Sequence, residues 1–154
     1  MQAEPAQMAE SSSLNFEIIL LTGDLAVKVL PLMQEYIIAA LEYAHRETNV
    51  EALAKRMLNN EVQLWAVYDK EQKCAIGAAT TILQRYDQCH ALRIITLSGK
   101  QFSAWKQPLL NRLEQFAAEH GATRVEASGR RGWAKVLQPL GFEPAYVTYV
   151  KELE

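Results

Sequence analysis

Arg130 and Arg131 stand between two glycines, in Gly129-Arg130-Arg131-Gly132-Trp133, where a short helical pattern begins. The start of a helix presents free backbone N–H groups and the positive end of its dipole. Two guanidinium groups carry an electrostatic cost there unless an anion is near. The planar fork of arginine suits bidentate binding of phosphate or carboxylate. One reading is therefore a ligand anion, such as a cofactor phosphate or an acidic substrate group. The other is pairing with Glu126 or another acid of the chain, and the spacing leaves both open. His90 lies at the start of a strand pattern, and its near-neutral intrinsic pKa suits proton transfer. A half-exposed strand histidine fits the same pattern. His45 and His120 fall at helix ends, where capping or dipole roles are expected. Cys74 and Cys89 have no metal spacing, so no metal site is expected and both read as small apolar fillers.

The charge around these residues is uneven. The chain of 154 residues has a formal net charge of −2, with 49% apolar and 22% charged residues, the balance of a globular domain. Residues 84–135 hold nine Lys/Arg against four acids, whereas residues 1–60 hold four against eight. A basic half can attract an anion, and a solvated helix face has the same composition. The negative total and the lack of an aromatic-basic motif argue against nucleic acid as a partner. No apolar run approaches the roughly 18 residues of a membrane span. Residues 1–13 read as a disordered tail without the features of a signal peptide, which makes a cytoplasmic setting the default. Residues 14–154 read as a single domain.

The elements that must position these side chains follow from periodicity. Residues 15–21 read as a strand ended by Thr22-Gly23-Asp24. Helical spacing then runs to about Arg46, with Pro31 expected to kink that helix or to open a new one. Thr48-x-x-Glu51 has capping-box spacing ahead of a helix at residues 50–58. Residues 62–68, 74–83 and 89–97 read as three strands joined by turns. Trp105, Leu109, Leu110, Leu113, Phe116 and Ala117 mark one face of a helix that Gly121 ends. A strand at 123–127, a helix at about 131–137 and a last alternating strand at 145–151 complete the chain. The order β-α-α-β-β-β-α-β-α-β predicts an α/β fold with a mixed central sheet and helices on both faces.

That order, over about residues 15–153, resembles the GNAT superfamily of acyl-CoA-dependent N-acyltransferases. Residues 109–127 (LLNRLEQFAAEHGATRVEA) are similar to the long helix and following strand of that family. Leu140-Gly141-Phe142 is similar to its "LGF" signature before the terminal strand. Small GNAT-like proteins of tailed phages have a similar look. The resemblance implies a fold in which the fourth strand and the next one splay apart. The pantetheine arm of the cofactor would lie along the backbone of Ile95, Thr96 and Leu97, and its pyrophosphate on the next helix N-terminus. The family's phosphate signature is Arg or Gln, two residues, Gly, one residue, then Gly or Ala. The matching window here is Gln101, Phe102, Ser103, Ala104, Trp105 and Lys106. Lys106 takes the place of the last small residue, and Phe102 and Trp105 are bulky. Such a loop is expected to bind pyrophosphate worse, unless Lys100 and Lys106 supply by charge what the backbone lacks. Arg130 and Arg131 are further candidates for cofactor phosphate.

Many family members carry a tyrosine five residues before the Phe of "LGF", placed to protonate the departing thiolate. That offset from Phe142 falls on Leu137, and Tyr146 and Tyr149 are the nearest substitutes. A general base would come from His90, Tyr86, Asp87 or Glu35, with His90 leading. The function so implied is transfer of an acyl group, most simply acetyl from acetyl-CoA, to an amine on a small molecule or on a protein lysine or N-terminus. The alternative is a catalytically inactive GNAT-like module, a pseudoenzyme that binds a protein or another anionic partner. A homodimer is left open.

Overall fold

A computed structural model describes residues 15–44, 46–129 and 131–153. The expected tail at 1–13, His45 and Arg130 lie outside the described residues. One sheet of five strands organises the rest, in the order β1-β2-β3-β4-β5. The strands are β1 (Phe16–Leu21), β2 (Val62–Asp69), β3 (Cys74–Arg85), β4 (His90–Gly99) and β5 (Arg124–Ala127). The first four run antiparallel, and β5 pairs parallel to β4. The β2–β3 turn is set by Asp69, whose buried carboxylate accepts hydrogen bonds from the backbone N–H of Glu71 and Gln72 at 2.9 and 3.2 Å.

Alternation along β2 sorts the core into two layers. Val62, Leu64 and Ala66 face α1 (Gly23–Val29), α2 (Gln34–Leu41) and α3 (Val50–Leu58). Trp65 and Val67 face α4 (Phe102–Glu119). β2 is buried on both faces, as an interior strand of a sheet covered by helices on both sides requires. Pro31 opens a short 3-10 turn, Leu30–Leu32, which separates α1 from α2. α2 then stops at Leu41, short of the Arg46 that the periodicity suggests. The cap of α3 is Asn49, whose side chain accepts from Ala52 N at 2.8 Å, so the expected capping box at Thr48 gives way to an equally good capping residue one position later. His120 closes α4 as expected, with its Nδ1 2.9 Å from Phe116 O.

The last expected strand is not formed. Beyond α5 (Trp133–Leu137) and the turn at Gln138–Leu140, residues 143–153 have no strand pairing and are exposed. Alternation alone does not make a strand. It needs a partner edge, and this segment is not hydrogen-bonded to the four-residue β5.

The join between β4 and α4 rests on a tryptophan over a pair of glycines. Gly77 of β3 and Gly99 of β4 are directly opposite in register, and the fully buried Trp105 ring lies over both. A Cβ on Gly99 would come 2.4 Å from Gly77 Cα and 2.6 Å from Ile76 O; one on Gly77 would come 2.6 Å from Trp105 Cζ2. Neither position has room for a methyl group. Gly99→Ala should therefore lower unfolding free energy by about 1–3 kcal/mol or more, the cost of overpacking. Urea denaturation followed by tryptophan fluorescence reads this directly, and an unchanged midpoint would contradict the packing.

Candidate cofactor cleft beside strand β4

Two features of β4 meet at one residue. Against β3 the register runs Thr81↔Ile94 and then Thr80↔Thr96, so Ile95 is the extra residue of a β-bulge. On the other side β5 pairs with β4 only as far as Ile94↔Ala127. The bulge twists and bends its strand just where β5 departs, which splays the two strands. From Ile95 onward, β4 has no neighbouring strand on that side among the described residues. Its N–H and C=O groups there are available to an extended ligand. Thr96 is buried beside the bulge, its Oγ1 hydrogen-bonded to Thr80 Oγ1 at 2.7 Å, which ties β3 to β4 again past the irregularity.

The open edge leads to the N-terminus of α4. Gln101, the residue before the helix, is left-handed at φ 57° and ψ 37°. No side chain caps this terminus, and no acid stands in its first turn. A left-handed residue next to helical ones, with free N–H groups behind it, forms a concave donor set for an anion. The loop is held firmly. Lys100 N donates to Ile76 O at 2.7 Å, Lys100 O accepts from Trp105 Nε1 at 2.6 Å, and Ala104 N donates to Gln101 O at 2.9 Å. The two bulky side chains turn inward. Trp105 is in the core, and Phe102 makes edge contacts with Trp105 and Trp133 at centroid distances of 5.0 and 5.9 Å. What remains at the surface is the backbone with Lys100, Gln101 and Ser103 exposed and Lys106 half-buried.

Below the open edge, the cleft floor is apolar, formed by Leu97, Phe102, Leu110, Leu137 and Phe142 with the stem of Lys106. The pocket over it is half open, with about 20 Å³ of room, enough for a single water.

The cofactor candidates Ile95, Thr96, Leu97 and Gln101 to Lys106 are thus brought together along one edge and one helix start. The other candidates are spread over the start of β4, α2 and the C-terminal segments. His90 is exposed at the start of β4, five residues before Ile95, a distance of about 16 Å along a strand. Glu35 is exposed in the first turn of α2, which packs on β3 and β4. Its neighbour Tyr36 is buried, and burial followed by the charges of Glu35 and Cys74 raises the phenol pKa. Tyr146 is 78% exposed in the unpaired segment. Arg131 is exposed and has no ion pair among the described residues. Glu126, one of the acids open to it as a partner, pairs instead with Arg93 and Arg124 and accepts from Tyr86.

That site around Glu126 is not legible in the sequence. Arg93 Nη1 and Arg124 Nη2 lie 2.9 and 3.1 Å from its carboxylate, and Tyr86 donates its hydroxyl to the same group. Arg93 also donates to Ser128. Burial opposes ionisation of Glu126, but the hydrogen bonds from Tyr86 and Arg93 and the two guanidinium charges outweigh it and hold the carboxyl below its usual range. Tyr86 in turn is raised, first by its hydrogen bond to Glu126. The cluster clamps β5 to β4 immediately before the splay.

Comparison with solved structures places the chain in the fold of the GNAT acetyltransferases. It is similar to a probable acetyltransferase at 17% identity and a TM-score of 0.68, covering 90% of this chain and 98% of that one. An aminoglycoside acetyltransferase from an uncultured soil metagenomic sample, in complex with sisomicin, matches at 16% identity, TM-score 0.66 and coverage of 92% and 99%. The ribosomal-protein-alanine N-acetyltransferase of Brucella melitensis biovar Abortus 2308 matches at 11% identity, TM-score 0.66 and coverage of 90% and 99%. No protein-family model and no curated protein matches the sequence.

A depressed carboxyl contributes stability above its unfolded pKa and loses it as pH falls through the folded value. Glu126→Gln should therefore cost about 1–3 kcal/mol at neutral pH, as expected for losing charge-assisted hydrogen bonds. The gap to the unaltered protein should close as pH drops below the usual carboxylate range. Thermal melts from pH 7 to pH 3 check this, and a gap independent of pH would contradict it.

Proposed function

We propose that this chain is an N-acyltransferase that moves an acyl group, most simply acetyl, from CoA to an amine. The observation that carries this reading is the coincidence at Ile95: β4 bulges and loses its β5 neighbour at the same residue, and its open edge ends on an uncapped helix. CoA supplies the acyl group as a thioester, whose carbonyl carbon is open to attack. The N–H groups of residues 101–103 would hold the pyrophosphate, with Lys100 and Lys106 adding charge. Backbone of Ile95 to Leu97 would pair with the pantetheine amides and polarise the thioester carbonyl. The amine nitrogen then forms the C–N bond as the C–S bond breaks, its surplus proton leaves, and the thiolate takes up a proton. His90 stands about 16 Å from Ile95 along β4, so proton transfer from it would pass through water, and Tyr146 is exposed in the unpaired segment. Glu35, on a helix packed over β4, is the other base candidate.

The donor set supports the fit to CoA, and Lys106, standing where the family signature has its last small residue, opposes it. That observation favours a second reading, a GNAT-fold module that binds an anionic partner at the α4 terminus without transferring an acyl group. The acidic first third of the chain suits an amine-bearing or basic acceptor in the first reading.

Calorimetric titration with acetyl-CoA separates the two. Acyltransfer predicts micromolar binding that weakens with salt and by about tenfold, about 1.4 kcal/mol, in Lys106→Glu. Absence of heat at millimolar acetyl-CoA would overturn the acyltransferase and leave the binding module.

A further inference from the structure

On the sheet face opposite α4, one polar contact bridges the vertex of the splay. The bulge turns Ile95 toward the layer of α1 to α3, where it packs, whereas Ile94 and Leu97 pack in the α4 layer. β5 alternates in the same way: Val125 and Ala127 pack in the α4 layer, which leaves Arg124, Glu126 and Ser128 on the opposite face. Arg93 shares that face and stands opposite Glu126 in register. Its guanidinium is engaged twice. Nη1 donates to Glu126 at 2.9 Å, and Nη2 donates to the hydroxyl of Ser128.

Ser128 is the first residue past the last paired one, Ala127. If the parallel register ran on, Ser128 would stand opposite Ile95, the residue of the bulge. Arg93 instead holds it from two residues further back on β4. Among the described residues, this is the one side-chain hydrogen bond between β4 and the chain beyond Ala127. The guanidinium has little freedom to swing away. It is 29% exposed, and its partner Glu126, 18% exposed, is held in turn by Arg124 and Tyr86. The far wall of the opening is fixed a second time at Trp133. That ring meets Phe102 at the α4 terminus at 5.9 Å and lies against Gly129, where a Cβ would come 3.2 Å from it. The stretch after β5 is thus pinned by a polar contact at the vertex and by an aromatic one at the helix end.

We propose that Arg93 is a positioning residue for acyl transfer: by gripping Glu126 and Ser128 together, it fixes where β5 leaves β4 and so sets the opening beside Ile95. An arginine suits this task because its planar fork aims two donors in fixed directions, which a lysine ammonium cannot do. A wall held at a set distance lets the backbone of β4 receive an extended ligand without first ordering the opening. The role in transfer rests on the acyltransferase reading; the fixing of the vertex does not.

The test compares Ser128→Ala, which removes the hydroxyl and leaves both ion pairs of Glu126, with Ser128→Thr, which keeps it. In the free full-length protein, NMR order parameters at the amides of Ser128 and Gly129 should be those of rigid backbone, about 0.85, in the unaltered chain and in Ser128→Thr. They should fall toward about 0.6 in Ser128→Ala and in Arg93→Lys. Calorimetric titration should show the dissociation constant for acetyl-CoA rise by about tenfold in Ser128→Ala, at an unchanged urea midpoint, and recover in Ser128→Thr. Order parameters and affinity untouched by Ser128→Ala overturn the proposal. So does an affinity loss that follows the urea midpoint, the mark of a contact that only stabilises. If the unaltered protein gives no heat with acetyl-CoA, the acyltransferase reading fails and the role in transfer falls with it. The order parameters then still decide whether Arg93 fixes the vertex.

Discussion

The position of α4 relative to the sheet depends on how Trp105 packs. The ring lies over two glycines that face each other across β3 and β4, and its indole N–H reaches back to Lys100 O. This fixes the distance and angle between the last residue of β4 and the first turn of α4. Every donor of the proposed anion site, from Gln101 to Ser103, is held within that short span. The glycines near this loop therefore serve the tryptophan and not a phosphate. The residue that makes the loop look unfit for an anion is the one that orients it.

The opening beside β4 has a similarly local origin. An extra residue at Ile95 and the end of β5 at Ala127 coincide, with Thr80 and Thr96 rejoining the strands on one side. The Glu126 cluster holds the other side shut until that point. The splay is therefore bounded by a clamp below and a bulge at its vertex. Its apolar floor is lined by α5 and Phe142, which pack on the body through the Phe102–Trp133 edge and the placement of Phe142 in the α4 layer.

Much of this was legible in the residues. Branched runs marked β1 to β4, the 3.6 spacing of Trp105 to Ala117 marked α4, and the matching order of elements pointed to the fold. Three things were hidden. A bulge has no composition of its own, so Ile95 looks like any strand isoleucine. The inward turn of Phe102 and Trp105 depends on glycines 22 residues apart in sequence, Gly77 and Gly99, which only the sheet register brings together. The Glu126 cluster likewise joins residues up to 40 positions apart. At residues 145–151 the reverse occurred: a clear strand pattern without an edge to complete it. Periodicity reports which faces a segment can bury, and the partner is decided by tertiary placement.

The proposed function requires the backbone of residues 95–97 and 101–103 to act as one binding edge. Amide chemical shifts in isotope-labelled protein, followed during addition of acetyl-CoA, test this residue by residue. Ile95 to Leu97 and Gln101 to Ser103 should shift together and saturate at one concentration, while the amides of α3 stay in place. Shifts confined to the α4 terminus would mean an anion site without an acyl channel. An unmoved spectrum at millimolar acetyl-CoA would mean that this edge does not bind the cofactor.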